Sequence, residues 1–259
     1  MSNEVNVMEA HIHNKLVWIT GAGTGMGRAL AIRLASQGWK VAISARTRAH
    51  LEEVAAQIPD KIFAFPMDVT DHAAVPAAYA AIEAQLGPVS VAILNAGIYK
   101  RDNAFNFDAA LFEETVNVNL IGTAYCLGAV MEPMLKRQSG RILVVSSVAG
   151  YTGLPGAAAY GATKAGLINM CEALYPELRR KNVLLSVVNP GFVDTPLTQK
   201  NDFPMPFIIS ENEAADHIIR GLNSHRFEIA FPWKMVWLTK CLACLPAGLR
   251  FAITRKLLR

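Results

Sequence analysis

Residues 15–46 read KLVWITGAGTGMGRALAIRLASQGWKVAISAR, and the order of patterns within them decides the fold. KLVWIT (15–20) is a short apolar run that leads into glycine-rich sequence. Gly21, Gly25 and Gly27 follow with the spacing G-x-x-x-G-x-G. Ala29, Leu30, Ile32, Leu34 and Ala35 then recur at helical spacing, and KVAISA (40–45) is a second apolar run. The sequence therefore predicts strand, tight turn, helix, strand. Glycines at such a turn let the backbone approach a pyrophosphate held at the helix N-terminus.

The alternation continues along the chain. RAHLEEVAAQI predicts a helix stopped by Pro59, KIFAFPMDV a third strand, residues 71–86 a helix, and VSVAILNAG a fourth strand. Residues 108–138 predict one or two helices and RILVVSS (141–147) a fifth strand. A helix over 157–181 is expected to be kinked or weakened by Pro176, which removes a hydrogen bond. VLLSVVNPG (183–191), a helix over 211–222 and FEIAF (227–231) complete the series. Strands apolar on nearly every residue are buried on both faces, which implies a parallel sheet between helical layers. The fold class expected is α/β, a single-domain Rossmann-type doubly wound parallel sheet of about seven strands. A flexible extension over 1–14 precedes a dinucleotide-binding domain over 15–232, with a substrate loop at 195–210 and an apolar, basic helical appendage at 233–259.

Composition narrows the function. Of 259 residues, 52% are apolar and 18% charged, so the chain is neither disordered nor strongly polar. The formal charge is +4, but residues 233–259 hold six basic side chains and no acidic one, which leaves −2 on the rest. The main body is therefore no nucleic-acid-binding surface, and any attraction to anions belongs to the tail. The four cysteines stand in apolar contexts with no secretory signal, so a reducing cytoplasm is the expected setting. Cys241 and Cys244 form a CxxC without a second pair and are read as helix-packing cysteines rather than zinc ligands. His11 and His13 are read as lead-in residues, and no metal site is expected.

The second strand ends in Ser44-Ala45-Arg46. A site for NAD usually holds an acidic residue here, on the adenosine ribose 2′-OH. Arg46 suits a 2′-phosphate instead, and no carboxylate stands there to repel it. This favours NADP(H) over NAD(H). Gly21–Gly27, Arg46, Asp68, Asn95–Gly97, Ser147 and Pro190–Thr195 all fall just after strands, where ligands of such sheets bind. In GAAAYGATKAG (156–166), Tyr160 and Lys164 stand one helical turn apart among small residues, so one face carries both.

TGAGTGMG, LNAG, VNLIG, VVSS, YGATK and NPGFVDT, in that order over roughly 15–231, resemble the short-chain dehydrogenase/reductase family. Leu94 stands where the family often has the first of two asparagines. The resemblance implies a catalytic set of Asn119, Ser147, Tyr160 and Lys164. It implies cofactor contacts from Gly21, Gly23, Thr24, Gly25, Met26, Gly27 and Arg46, and from Asp68, Val69, Asn95, Ala96 and Gly97 on the adenosine side. Tyr160, Lys164, Pro190, Gly191, Val193 and Thr195 complete that set near the nicotinamide. Tyr160 would be the general acid in reduction and general base in oxidation, with its pKa lowered by the Lys164 cation. Ser147 would hold the substrate oxygen. Asn119 would hold a water connecting Lys164 to solvent. The partner expected is a small carbonyl or alcohol substrate, and the resemblance suggests a homodimer or homotetramer built on the long helices.

Phe203, Met205 and Phe207 in the loop after Thr195 suggest an apolar substrate. In the tail, Pro246 separates two segments too short to span a bilayer, and Leu249, Ile253 and Leu257 share one face. Two readings stand open there: packing on a partner subunit or on the substrate site, and peripheral contact with anionic lipid. A peripheral membrane enzyme acting on lipid-like ketones, and a silent NADP-binding regulator, are the rival functions. The intact Asn119, Ser147, Tyr160 and Lys164 argue against the regulator.

Overall fold

The computed structural model describes residues 15–199 and 203–257. The expected N-terminal extension with His11 and His13, and part of the substrate loop, lie outside the described residues. The first half of the chain runs β1 (Leu16–Thr20), α1 (Gly25–Ser36), β2 (Lys40–Ser44), α2 (Arg48–Ala55), β3 (Ile62–Ala64), α3 (Ala74–Leu86) and β4 (Val91–Leu94). Then come α4 (Ala109–Val116), a π-helical turn (Asn117–Ile121), α5 (Gly122–Arg137), β5 (Gly140–Val145), α6 (Ala158–Arg179) and β6 (Val183–Pro190). The last part holds β7 (Val193–Asp194), β8 (Ile209–Ser210), α7 (Glu211–Leu222), β9 (Glu228–Phe231), α8 (Trp233–Cys244) and α9 (Ala247–Thr254).

Seven strands form one sheet in the order β3-β2-β1-β4-β5-β6-β9, every pair parallel. Alternate side chains of β1 enter two cores. Val17 and Ile19 pack with Leu30 and Leu34 of α1 and Ile218 of α7 on one face. Leu16 and Trp18 pack with Ile82 of α3, Val130 of α5 and Leu167 of α6 on the other. Both faces of the sheet are thus covered, as the all-apolar strands require. The chain reverses strand order beside β1, so the carboxyl ends of β1 and β4 flank a crevice where ligands can enter.

Three expectations change in detail. The helix expected to reach Pro59 closes at Ala55, because the residue before a proline is held out of the helical region and the last turn tightens, with Gln57 N–H donating to the Val54 carbonyl at 3.2 Å. The third strand is far shorter than KIFAFPMDV. β3 lies at the sheet edge, Pro66 has no N–H, and only isolated bonds from Phe65 N to Ile43 O (2.9 Å) and Met67 N to Ala45 O (3.1 Å) carry the pairing on. Cys241 and Cys244 are exposed rather than packed, whereas Cys126 and Cys171 are buried free thiols. α6 meanwhile continues past Pro176 to Arg179.

Candidate active site

The glycine turn is pinned from β4. Asn95 Nδ2 donates to the carbonyls of Thr20 and Gly21, both at 3.1 Å, and the Thr20 hydroxyl accepts from Asn95 N (3.0 Å) and Ala96 N (3.1 Å). Gly21 has φ +66°, and a Cβ there would sit 2.7 Å from Ala96 Cα. A Cβ on Gly27 would press into the Gly21 carbonyl and stand 2.7 Å from Asn95 Nδ2. Gly27 therefore lets α1 start against the turn. Thr24, which caps α1, gives no side-chain bond to the first turn, and that turn carries no acidic residue. Its N–H groups and the positive end of the helix dipole are left for an anion. This cradle fits the pyrophosphate of a dinucleotide.

From the cradle a cavity of about 630 Å³ runs along the sheet's carboxyl edge. Ala45, Arg46, Thr47 and His50 line one end, with Asp68 and Val69 beside them. The Asp68 carboxylate is oriented by Thr70, whose N–H and hydroxyl donate to it at 2.9 and 2.8 Å. No acidic residue stands at the end of β2, and the Arg46 side chain is exposed.

Ser147, Tyr160 and Lys164 meet at the other end. Ser147 follows β5; its hydroxyl donates to the Pro190 carbonyl (3.3 Å) and accepts from Ala149 N (3.1 Å). Tyr160 stands in the first turn of α6, with the Tyr99 ring edge-on to it at 5.2 Å. Lys164 is buried one turn on, with Nζ 5.4 Å from the Tyr160 ring centre and donating to the Val145 carbonyl at 2.9 Å. Burial pushes the Tyr160 phenol up to about 12, against a hydrogen bond from Ser147 that lowers it. Burial also pushes the Lys164 ammonium down to about 8. Desolvation is thus the leading cause at both groups, raising the phenol and lowering the ammonium.

Asn119 occupies the π-helical turn between α4 and α5 and is fully buried. Its Oδ1 accepts from Ile98 N at 2.7 Å; its Nδ2 donates to Ile98 O at 2.9 Å and to Thr163 Oγ1 at 3.2 Å. A Cβ on Gly97 would lie 3.3 Å from Asn119 Oδ1 and 3.6 Å from Lys164 Nζ, so both groups flank that glycine.

All the catalytic and cofactor-binding residues expected from the sequence line the cavity except Gly27 and Asn119, which sit behind its wall, whereas Phe203, Met205 and Phe207 are not among its lining. Sequence reasoning passed over His50, Tyr99 and Asp102. Tyr99 follows a strand, as the chosen residues do, and could have been found on that signal. Asp102 caps the start of α6 from 56 residues away, which no local pattern reveals.

Comparisons with known proteins place the chain in a family. The family model described as short chain dehydrogenase matches residues 15–204. An uncharacterized oxidoreductase of Myxococcus xanthus is 33% identical over 251 residues, covering 96% of this chain and 99% of that protein. The 3-oxoacyl-(acyl-carrier-protein) reductase MabA of Mycobacterium avium is 36% identical over 189 residues, 73% of this chain and 71% of that one. The crystal structure of a short-chain dehydrogenase from Streptomyces avermitilis superposes with a TM-score of 0.80 at 25% identity, covering 94% of this chain and 97% of that chain. The chain therefore belongs to the short-chain dehydrogenase/reductase family and is a pyridine-nucleotide-dependent oxidoreductase.

Proposed function

We propose that the protein transfers hydride between NADP(H) and a carbonyl/secondary-alcohol pair in an apolar substrate, with Tyr160 handling the proton. The observation that carries this reading is the convergence of Ser147, Tyr160 and Lys164 on one end of a cavity whose other end holds the glycine turn and Arg46. The bound reduced nicotinamide supplies the hydride. The backbone of the glycine turn and the first turn of α1 hold the pyrophosphate, and Arg46 holds the 2′-phosphate. Ser147 donates to the substrate carbonyl oxygen and stabilises the charge that grows there.

As the new C–H bond forms and the C=O π bond breaks, that oxygen takes the proton of the Tyr160 phenol. Tyr160 is left as a phenolate and regains a proton from solvent. The Lys164 ammonium, one turn away, lowers the cost of that phenolate, and Asn119 holds a water on the route from Lys164 to solvent. In oxidation each step reverses. The phenol high in its unliganded state suits a donor that stays protonated until substrate arrives.

The apolar substrate is supported by Phe203 of the loop after Thr195, which packs edge-on to Phe192 at 6.0 Å beneath the Arg101 guanidinium at 5.6 Å. The name of the MabA relative makes 3-oxoacyl thioesters the first class to try. Assembly into a homodimer or homotetramer through the long helices belongs to the same proposal. The test is turnover of ketones, aldehydes and 3-oxoacyl thioesters with NADPH and NADH in parallel. NADPH-dependent reduction of an apolar member supports the reading. NADPH binding without turnover across the panel would favour a silent binding protein instead.

A further inference from the structure

α8 touches the body through one side only. Met235 is buried against Gly191, where a Cβ would lie 3.0 Å from Met235 Cγ. Lys240 pairs with Glu228, and Glu228 also accepts from Tyr151 OH at 2.6 Å and Asn189 Nδ2 at 2.9 Å. The opposite side is open. Trp233 is 72% exposed and Trp237 67%, and with Cys241 they form a stripe at i, i+4, i+8. α9 is also apolar and exposed, with Leu249 and Ile253 one turn apart on one side and Phe251 (63% exposed) on the other. Exposed Phe207 and Ile208 of the substrate loop adjoin α8, since Lys234 Nζ lies 5.7 Å from the Phe207 ring and 5.8 Å from the Trp233 ring.

The charges on this appendage have one sign. Residues 233–259 contain no Asp or Glu. Among the described residues of the tail, Lys240 alone of its cations is within ion-pair distance of a carboxylate. Lys234, beside the Phe207 and Trp233 rings, is exposed, as are Arg255 and Lys256 just after α9. A second copy docking here would set these cations against their own likeness with no carboxylate on the segment to meet them, which costs free energy. A surface that takes exposed tryptophans into an apolar boundary and cations into an anionic layer satisfies both features together. The helices, at 12 and 8 residues, are too short to cross a bilayer and long enough to lie in its interface.

We infer that the α8–α9 face docks on the surface of an anionic bilayer, with Trp233 and Trp237 entering the interface and Lys234, Arg255 and Lys256 meeting the headgroups. Docked this way, Phe207 and Ile208 of the substrate loop also face the lipid, which deepens the apolar-substrate reading and rests on it only for that consequence.

The full chain tests this by vesicle co-sedimentation, with phosphatidylcholine alone and with phosphatidylcholine plus phosphatidylserine. Sedimentation with the anionic vesicles only, weakened by added salt, is expected, together with a blue shift of tryptophan emission. The triple variant Lys234→Gln/Arg255→Gln/Lys256→Gln should lower partitioning roughly a hundredfold. Trp237→Ala should weaken binding while the Tm stays unchanged, since that ring is exposed. Absence of binding to anionic vesicles, or binding that neither the triple variant nor Trp237→Ala reduces, would overturn the inference. A stable dimer that Trp237→Ala dissociates in sedimentation equilibrium, with no vesicle binding, would assign the face to a second copy. These readouts need no substrate, so they fail or succeed apart from the proposed reaction.

Discussion

The carboxylate of Asp102 receives the backbone N–H of Ala159 at 2.6 Å, and its other oxygen receives the N–H of Ala158 at 2.8 Å. Asp102 is buried, and its own N–H donates to the Gly156 carbonyl at 3.3 Å. The residue before α6, Ala157, carries only a methyl group and cannot accept a capping hydrogen bond, so Asp102 does so from a distant loop. It thereby fixes the turn that presents Tyr160. Asp102→Ala should cost about 1–2 kcal/mol in stability. It should also lower kcat more than it raises KM, with Asp102→Asn restoring part of both. Unfolding curves and steady-state kinetics check this; an Asp102→Ala enzyme with a lower Tm and unchanged kcat would leave Asp102 a purely structural cap.

The buried Lys164 makes a pH-dependent contribution of known sign. Its ammonium titrates near 8 in the folded protein and near 10.5 when exposed. Between those values the unfolded chain binds more protons, so stability rises with pH there, while the full cost of burying the charge is felt below 8. Lys164→Met has no such term. Relative to Lys164→Met, the wild-type protein should gain about 2 kcal/mol in urea unfolding between pH 7 and pH 10. A constant difference over that range would contradict a depressed Lys164.

Among the described residues lining the cavity end beside β2, Arg46 is the one Arg or Lys, and a 2′-phosphate there would meet its guanidinium. Charge-assisted bonds of this kind are worth about 1.5–3 kcal/mol. Arg46→Ala should therefore raise the KM for NADPH roughly tenfold to a hundredfold and leave that for NADH nearly unchanged. Equal effects on both cofactors would assign Arg46 to general electrostatics.

Gly27 does not reach the cavity, yet it has no room for a methyl group against Gly21 and Asn95. Gly27→Ala should destabilise the fold by about 1–3 kcal/mol and displace the cradle. Calorimetry and titration with NADPH measure both effects. Full stability with unchanged affinity would show that the turn yields without cost.

The parts legible in the sequence were those written locally. β1, β5 and β6 are buried at every position and mostly apolar, with Thr20, Arg141, Ser186 and Asn189 as the polar exceptions, the glycines stand between strand and helix, and Ser210 with Glu213 forms the capping box that starts α7 where the pattern placed it. Tyr160 and Lys164 were legible because helical spacing puts them on one face. What the sequence hid depends on partners far along the chain. The Asp102 cap is one case. The short β3 is another, since its edge position follows from sheet order rather than from its apolar residues. The direction of the Tyr160 shift is a third, because burial is a property of the folded surroundings and no spacing rule carries it. The exposure of Cys241 and Cys244 follows in the same way from which side of α8 meets the body.

The central claim is that Tyr160 delivers the proton to the substrate oxygen. Tyr160→Phe keeps the ring against Tyr99 and removes only the hydroxyl. The most direct measurement is single-turnover reduction with NADPH at saturating substrate, beside NADPH affinity measured by fluorescence titration. The account predicts a fall in the rate of roughly a hundredfold to ten-thousandfold with NADPH affinity nearly unchanged. A Tyr160→Phe enzyme that turns over at the wild-type rate would contradict it.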